Sequence, residues 1–223
     1  MDYNDNTPSC LMLAANLDTP VSLGSIFETD DLTSDTGISF DSHITLLFSH
    51  TFLDKDTILG NIDIVVEKDE YFTKMPGKFN IDRFLETQNK IKPKPVLELF
   101  DLGIFNGKDS DILVLKLKKT TGIFEILEAL NRGLSSLYNV KSDFDSYNPH
   151  ITLANLKPGV AQKYLDSDAL LLMLENSVVN FEDLVFSYSK EDGTYDEYDL
   201  THNNSVDRFF RLEDLRKEYR EVK

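Results

Sequence analysis

A chain of 223 residues, 41% of them hydrophobic, is long enough for one larger domain or two small lobes around a sizeable core. Its 23 basic and 39 acidic side chains leave a formal charge of −16, which argues against a long nucleic acid gripped by its backbone and for a small ligand. Local potential need not follow net charge, so a short or cyclic oligonucleotide stays within that expectation. The single cysteine, Cys10, rules out an internal disulfide. Apolar runs such as 10–15 and 169–174 are too short to span a bilayer. Residues 1–9 hold two aspartates and no basic cluster, unlike a secretory leader. The expectation is a cytoplasmic monomer with no membrane partner.

In chain order, residues 9–17 form an apolar run that reads as a first strand. Residues 18–37 are rich in Asp, Ser and Thr and predict a loop with at most a short helix. Residues 40–48 predict a strand. The stretch 53–70 is ambiguous, because Ile58, Ile62, Ile64, Val65 and Val66 suit either a helix or a strand. Met75-Pro76-Gly77 marks a turn, and 80–90 a short helix with Asn80 as its cap. Residues 92–95 are a stiff, proline-rich break. Strands follow at 96–105 and 112–117, joined around Asn106-Gly107 as a hairpin. Period two puts Ile112, Val114 and Lys116 on one face of the second of these. Ile123, Ile126, Leu127, Leu130, Leu134 and Leu137 recur at helical spacing. Then come a strand through 149–154, a helix near 160–174, a strand over 178–189, a turn at 191–194 and a last strand at 195–200. A charged terminal helix is expected within 201–223. The strand–helix–strand order of the second half is a repeat of a weaker pattern in the first.

Two strands in this series carry the same string. His43-Ile44-Thr45-Leu46 recurs as His150-Ile151-Thr152-Leu153, in a chain with only four histidines. On a strand, residues i and i+2 share a face, so His43 points with Thr45 and His150 with Thr152, the Ile and Leu between them facing a core. An imidazole titrates near neutrality, at about pH 6.5, and can give or take a proton. Phosphodiester cleavage needs one group to activate an oxygen nucleophile and another to protonate the leaving oxygen. His43 and His150 can fill these roles, while Thr45 and Thr152 donate hydrogen bonds to the nonbridging oxygens where charge builds up. No metal or other cofactor is required. A zinc site is the competing use of histidine, but neither motif has the short His spacing of a hydrolase centre, and it leaves the threonines unexplained.

Other residues are candidates by position. Tyr147 lies among polar residues just before the second motif and could contact a base or phosphate, as could Lys116 through its charge. Phe48 and Phe105 each have two readings, core packing, which is the favoured one, or an aromatic platform near the cleft. Phe144 lies near the second motif. His50, two residues past Phe48, reads as a surface histidine over a residue of the cleft mouth, and His202, in an expected loop, is given no role.

The paired motif resembles that of the 2H phosphoesterase superfamily, His-x-Thr/Ser twice with an apolar residue between. The aromatic-containing loop Phe144-Asp145-Ser146-Tyr147-Asn148-Pro149 before the second histidine and the 102–117 hairpin are similar to that family's as well. The likeness covers about residues 9–190. It implies an α+β fold, bilobal and pseudo-duplicated, with two antiparallel sheets around a central cleft and outer helices. It further implies a metal-independent phosphodiesterase cleaving a small RNA-like, 2′-5′ or 3′-5′ linked, or cyclic nucleotide. The superfamily has a phage and viral branch that degrades oligonucleotide defence signals, which would put the protein in a host cytoplasm. Many RNA ligase-like members carry Arg shortly after the second motif, where this chain has Asn155. The rival reading is a nucleotide- or RNA-binding module on the same fold that does not hydrolyse.

Overall fold

The computed structural model describes residues 8–34, 37–38, 42–51, 53–90, 93–141, 146–189 and 195–200. Phe40, Phe144, His202, the 191–194 turn and the terminal helix expected within 201–223 lie outside these residues.

Strand β1 (Ser9–Asp18) is followed by two short 3-10 turns at Leu23–Ser25 and Thr29–Asp31, and by β2 (His43–Ser49). The ambiguous stretch is helical: α1 spans Lys55–Lys68. Asp54 starts it by accepting the Asp56 N–H at 3.1 Å, and Ile58, Ile62, Val65 and Val66 fall on one buried stripe. A one-turn helix α2 (Glu70–Thr73) and α3 (Ile81–Lys90) follow. Asn80 caps α3 by accepting the Arg83 N–H at 2.7 Å. After the two-residue strand β3 (Lys94–Pro95), the predicted strand 96–105 begins instead with a helical turn, α4 (Val96–Leu99). Val96 and Leu99, three apart, are both buried, a spacing that suits a helical turn and not an alternating strand. Strand β4 (Phe100–Asn106) starts only afterwards and forms the expected hairpin with β5 (Asp111–Leu117).

Helix α5 (Gly122–Leu137) is capped by Thr121, whose hydroxyl accepts the Phe124 N–H. Next comes β6 (His150–Leu156). The single helix expected near 160–174 is two, α6 (Ala161–Leu165) and α7 (Asp168–Glu175), because Ser167 caps a new helix through the Leu170 N–H. Strands β7 (Val178–Ser189) and β8 (Tyr195–Asp199) end the described chain.

The strands form two antiparallel sheets, so the fold is α+β as expected. One runs β2-β1-β7, with β3 and β8 both pairing with β7; the other runs β4-β5-β6. In each sheet the histidine strand is an edge, antiparallel to the strand before it in sequence. Helix α3 packs on β7, α5 on β2 and α6 on β4 and β5. Buried residues of both sheets and their helices join in one cluster, including Leu11, Leu13, Ile44, Leu115, Ile151 and Leu153.

The segment between β1 and β2 ties the sheets together. It lies along β6 through the bridges Leu32↔Leu156 and Ile38↔Ala154, and the Asn155 N–H donates to the Gly37 carbonyl at 2.6 Å. A Cβ on Gly37 would lie 3.0 Å from the Asn155 carbonyl oxygen, so the close approach favours glycine. On α6, Lys163 pairs with Glu28 and Asp31, and the Tyr164 hydroxyl donates to Asp31 at 2.6 Å. Tyr164 and Lys163 together hold the Asp31 carboxyl below its ordinary pKa.

Candidate active site

The first motif is shaped by a β-bulge. Leu11 pairs with Leu47 while its neighbour Met12 pairs with Thr45, which leaves Leu46 as an extra residue in β2. Leu46 and Leu47 are both buried, and the displaced Leu46 carbonyl accepts the Asn131 side-chain amide of α5 at 2.7 Å. Beyond the bulge the alternation changes phase, so Phe48 joins the side of His43 and Thr45. The expected core position of Phe48 is thereby corrected: it is 46% exposed, with the His50 ring edge-on to it at 5.0 Å. On the neighbouring strand Cys10, Met12 and Ala14 lie opposite Phe48, Thr45 and His43. The Cys10 thiol lies 3.9 Å from the Thr45 hydroxyl, and burial pushes its pKa up to about 11, so it stays protonated at neutral pH.

The second motif has matching geometry. Lys116 lies directly across from His150, and Val114 from Thr152. One strand further, Asp101, Gly103 and Phe105 face Lys116, Val114 and Ile112. The half-buried Phe105 ring meets His150 at 4.8 Å and 84°, an edge contact, and carries the Lys116 ammonium 4.6 Å from its centre. The Lys116 stem passes over Gly103, where a Cβ would come within 2.8 Å of its Cε.

His150 is oriented from behind. Its Nδ1 lies 2.8 Å from the Asn148 carbonyl oxygen, which can only accept, so Nδ1 carries the proton and Nε2 the lone pair. Burial lowers the imidazole pKa; the Lys116 charge adds to this, and the Asn148 hydrogen bond opposes it.

The two motif strands adjoin. β2 and β6 are in contact, and the Tyr147 hydroxyl, from the segment entering β6, donates to the Thr45 carbonyl at 2.9 Å. Tyr147 and Asn131 thus satisfy successive carbonyls on the free edge of β2. Both histidine faces turn away from the shared core: Met12, Ala14 and Val185 form a separate small cluster, and buried Val114 belongs to neither. The His43/Thr45 and His150/Thr152 pairs therefore emerge from adjoining edge strands on faces turned from that core.

Of the residues singled out from sequence, Phe105 and Lys116 lie with His150, while Tyr147 commits its hydroxyl to the backbone of Thr45. Sequence reading missed Asn148, which acts through a backbone carbonyl that any residue supplies. It missed Gly103 as well, whose only signal is a glycine inside a strand pattern. Among the described residues no three His, Cys, Asp or Glu side chains gather as a metal site, and no helix is long and apolar enough to cross a membrane. A depression lined by Val66, Phe72, Gly77 and Phe79 contains neither histidine.

No protein-family model matches this chain, and no curated protein matches it. Among solved structures it is similar to Kluyveromyces marxianus Usb1, with 12% identity and a TM-score of 0.42 over 88% of this chain and 99% of that one. The same protein with uridine monophosphate gives a TM-score of 0.41 at 12% identity, over 88% of this chain and 100% of that one. Escherichia coli LigT complexed with 3′-AMP gives 0.38 at 12% identity, over 84% and 95%.

Proposed function

We propose that this protein is a 2H phosphoesterase-type phosphodiesterase acting on a small RNA-like or cyclic oligonucleotide by two-histidine acid/base catalysis. The observation that carries the reading is the pairing of two His-x-Thr strands as adjoining sheet edges, both with their polar pair turned from the core. A merely structural histidine needs neither the repeat nor the shared orientation.

In this reading His150 is the general base. Its neutral form is favoured by burial, and its Nε2 lone pair is set by the Asn148 hydrogen bond. Nε2 takes the proton of the attacking oxygen, a ribose 2′-hydroxyl or a water, as that oxygen bonds to phosphorus. His43 gives a proton to the leaving oxygen as the opposite P–O bond breaks. Thr45 and Thr152 donate to the nonbridging oxygens. Attack by the 2′-hydroxyl gives a 2′,3′-cyclic phosphate; attack by water gives a monoester. The exposed Phe48 ring, brought to the His43 side by the bulge, serves as a platform for a base flanking the cleaved phosphate. The strongly acidic chain favours a short oligonucleotide signal over a long RNA.

The test is turnover with EDTA present on linear 2′-5′ and 3′-5′ oligonucleotides, 2′,3′-cyclic mononucleotides and cyclic di- and trinucleotides, with His43→Ala and His150→Ala alongside. Cleavage lost in both variants supports the mechanism. Turnover abolished by EDTA and restored by a divalent metal overturns it, and binding without cleavage by the wild type transfers the reading to a binding module.

A further inference from the structure

Lys116 is half-buried, directly across from His150 and against the Phe105 ring. Lys55, Lys74, Lys78, Lys118, Lys163 and Arg132 each sit in an ion pair with a carboxylate. Lys116 has none among the described residues, a state it shares with Lys68, Arg83, Lys94, Lys108, Lys119, Lys141 and Lys157, but it lies directly across from His150. Its cross-strand neighbour Asp101 pairs with Lys118 instead. An ammonium carries three donors. The contacts of Lys116 are one hydrogen bond to the Ile104 carbonyl at 3.3 Å and the face of the Phe105 ring, so donor capacity remains.

The position is built. Gly103 leaves the space the lysine stem occupies, and a side chain there would collide with it at 2.8 Å. Nor does the sheet pattern demand a lysine. The two histidine strands have equivalent partners, and the residue opposite His43 is Ala14. The stem leans from β5 across β4, over Gly103, to bring the ammonium to the Ile104 carbonyl. Imidazole and ammonium both lie within 5 Å of the Phe105 ring centre, one beside its edge or face and the other over the ring.

We propose that Lys116, steadied by Gly103 and Phe105, is a second anion subsite, and that the substrate carries a further phosphate next to the one that is cleaved. This inference rests on the phosphodiesterase reading and narrows it to substrates with at least two phosphates, linear or cyclic, over a cyclic mononucleotide. The threonines serve the reacting phosphate, and the lysine grips its neighbour as a point charge. A bound phosphate also cancels a positive charge that otherwise opposes protonation of His150.

The experiment compares a dinucleoside monophosphate with the same compound carrying an added 5′- or 3′-terminal phosphate, in 2′-5′ and 3′-5′ linkage. The readout is the ratio of the two kcat/KM values for wild type, Lys116→Met, Lys116→Arg and Gly103→Ala, each checked for native thermal unfolding. A charge-assisted contact of this kind predicts a wild-type preference of about tenfold or more for the better phosphorylated isomer. Lys116→Met brings the ratio close to one, Lys116→Arg keeps most of it, and Gly103→Ala lowers it with the charge still present. A wild-type ratio near one, or a Lys116→Met variant that slows both substrates equally, overturns the subsite and leaves the phosphodiesterase reading intact. If the wild type cleaves neither compound nor any member of the wider linear and cyclic panel, that reading fails, and the same ratio taken from equilibrium binding to the wild type and to Lys116→Met decides the subsite by itself.

Discussion

The Nδ1–H of His150 donates to the Asn148 carbonyl at 2.8 Å, two residues upstream in the turn that delivers β6. A backbone acceptor cannot titrate, so this nitrogen holds its proton across the working pH range and chemistry falls to Nε2. Burial makes the imidazolium form costly, and the Lys116 charge adds to that cost. A base must be neutral to act, and a lowered pKa extends the neutral form to lower pH. The acid limb of the kcat/KM profile is therefore expected below the ordinary imidazole value of about 6.5. Lys116→Met removes one of the lowering influences and should move that limb upward. An acid limb above the ordinary value would remove His150 from the base role. His150→Gln should reduce kcat by about 10²- to 10⁴-fold.

Tyr147 is a brace between the motifs. Its hydroxyl reaches the Thr45 carbonyl at 2.9 Å, and burial pushes its pKa well up, so it remains a donor. Tyr147→Phe keeps the ring and deletes the donor, leaving a carbonyl on the edge of β2 unsatisfied. The expected cost is about 1 kcal/mol of stability. Because the bond lies on the backbone of Thr45, kcat should fall while KM holds. A rise in KM alone would make Tyr147 a substrate contact instead.

Phe48 tests the bulge. Base stacking on an aromatic ring contributes about 1–3 kcal/mol, so Phe48→Ala should raise KM for an oligonucleotide by about tenfold or more. Its large exposure predicts little change in thermal stability. A destabilised variant with unchanged KM would mark Phe48 as packing.

These residues show which parts of the molecule are legible in the chain. The His-Ile-Thr-Leu repeat announces two half-buried strands, because period two leaves polar residues no other side. The register of those strands is not written locally. The side that Phe48 takes depends on the bulge at Leu46, whose carbonyl is held by Asn131, 85 residues away. The 53–70 stretch is ambiguous in sequence because β-branched residues serve either backbone, and packing against α5 decides for a helix. Val96 to Leu99 reads as strand because four apolar-rich residues cannot reveal a period. Lys116 is visible as a charge on a face. Its lack of a carboxylate partner, and the room Gly103 gives it, belong to tertiary structure alone.

The contact between α1 and α5 offers a test of the fold apart from the site. Gly133, inside α5, lies against Val65 of α1, and a Cβ added there would come 2.4 Å from Val65 Cγ1. Alanine normally favours a helix over glycine by about 1 kcal/mol. Here the neighbour is a buried, β-branched side chain with little rotameric freedom to withdraw. Gly133→Ala is thus expected to destabilise by about 1–3 kcal/mol through overpacking. Val65→Ala alone leaves a small void and also destabilises. Combined, the two substitutions should cost less than their sum, since the smaller residue vacates the space the new methyl needs. Denaturant unfolding of the four proteins measures the coupling. Strict additivity would mean that the helices do not meet at this point.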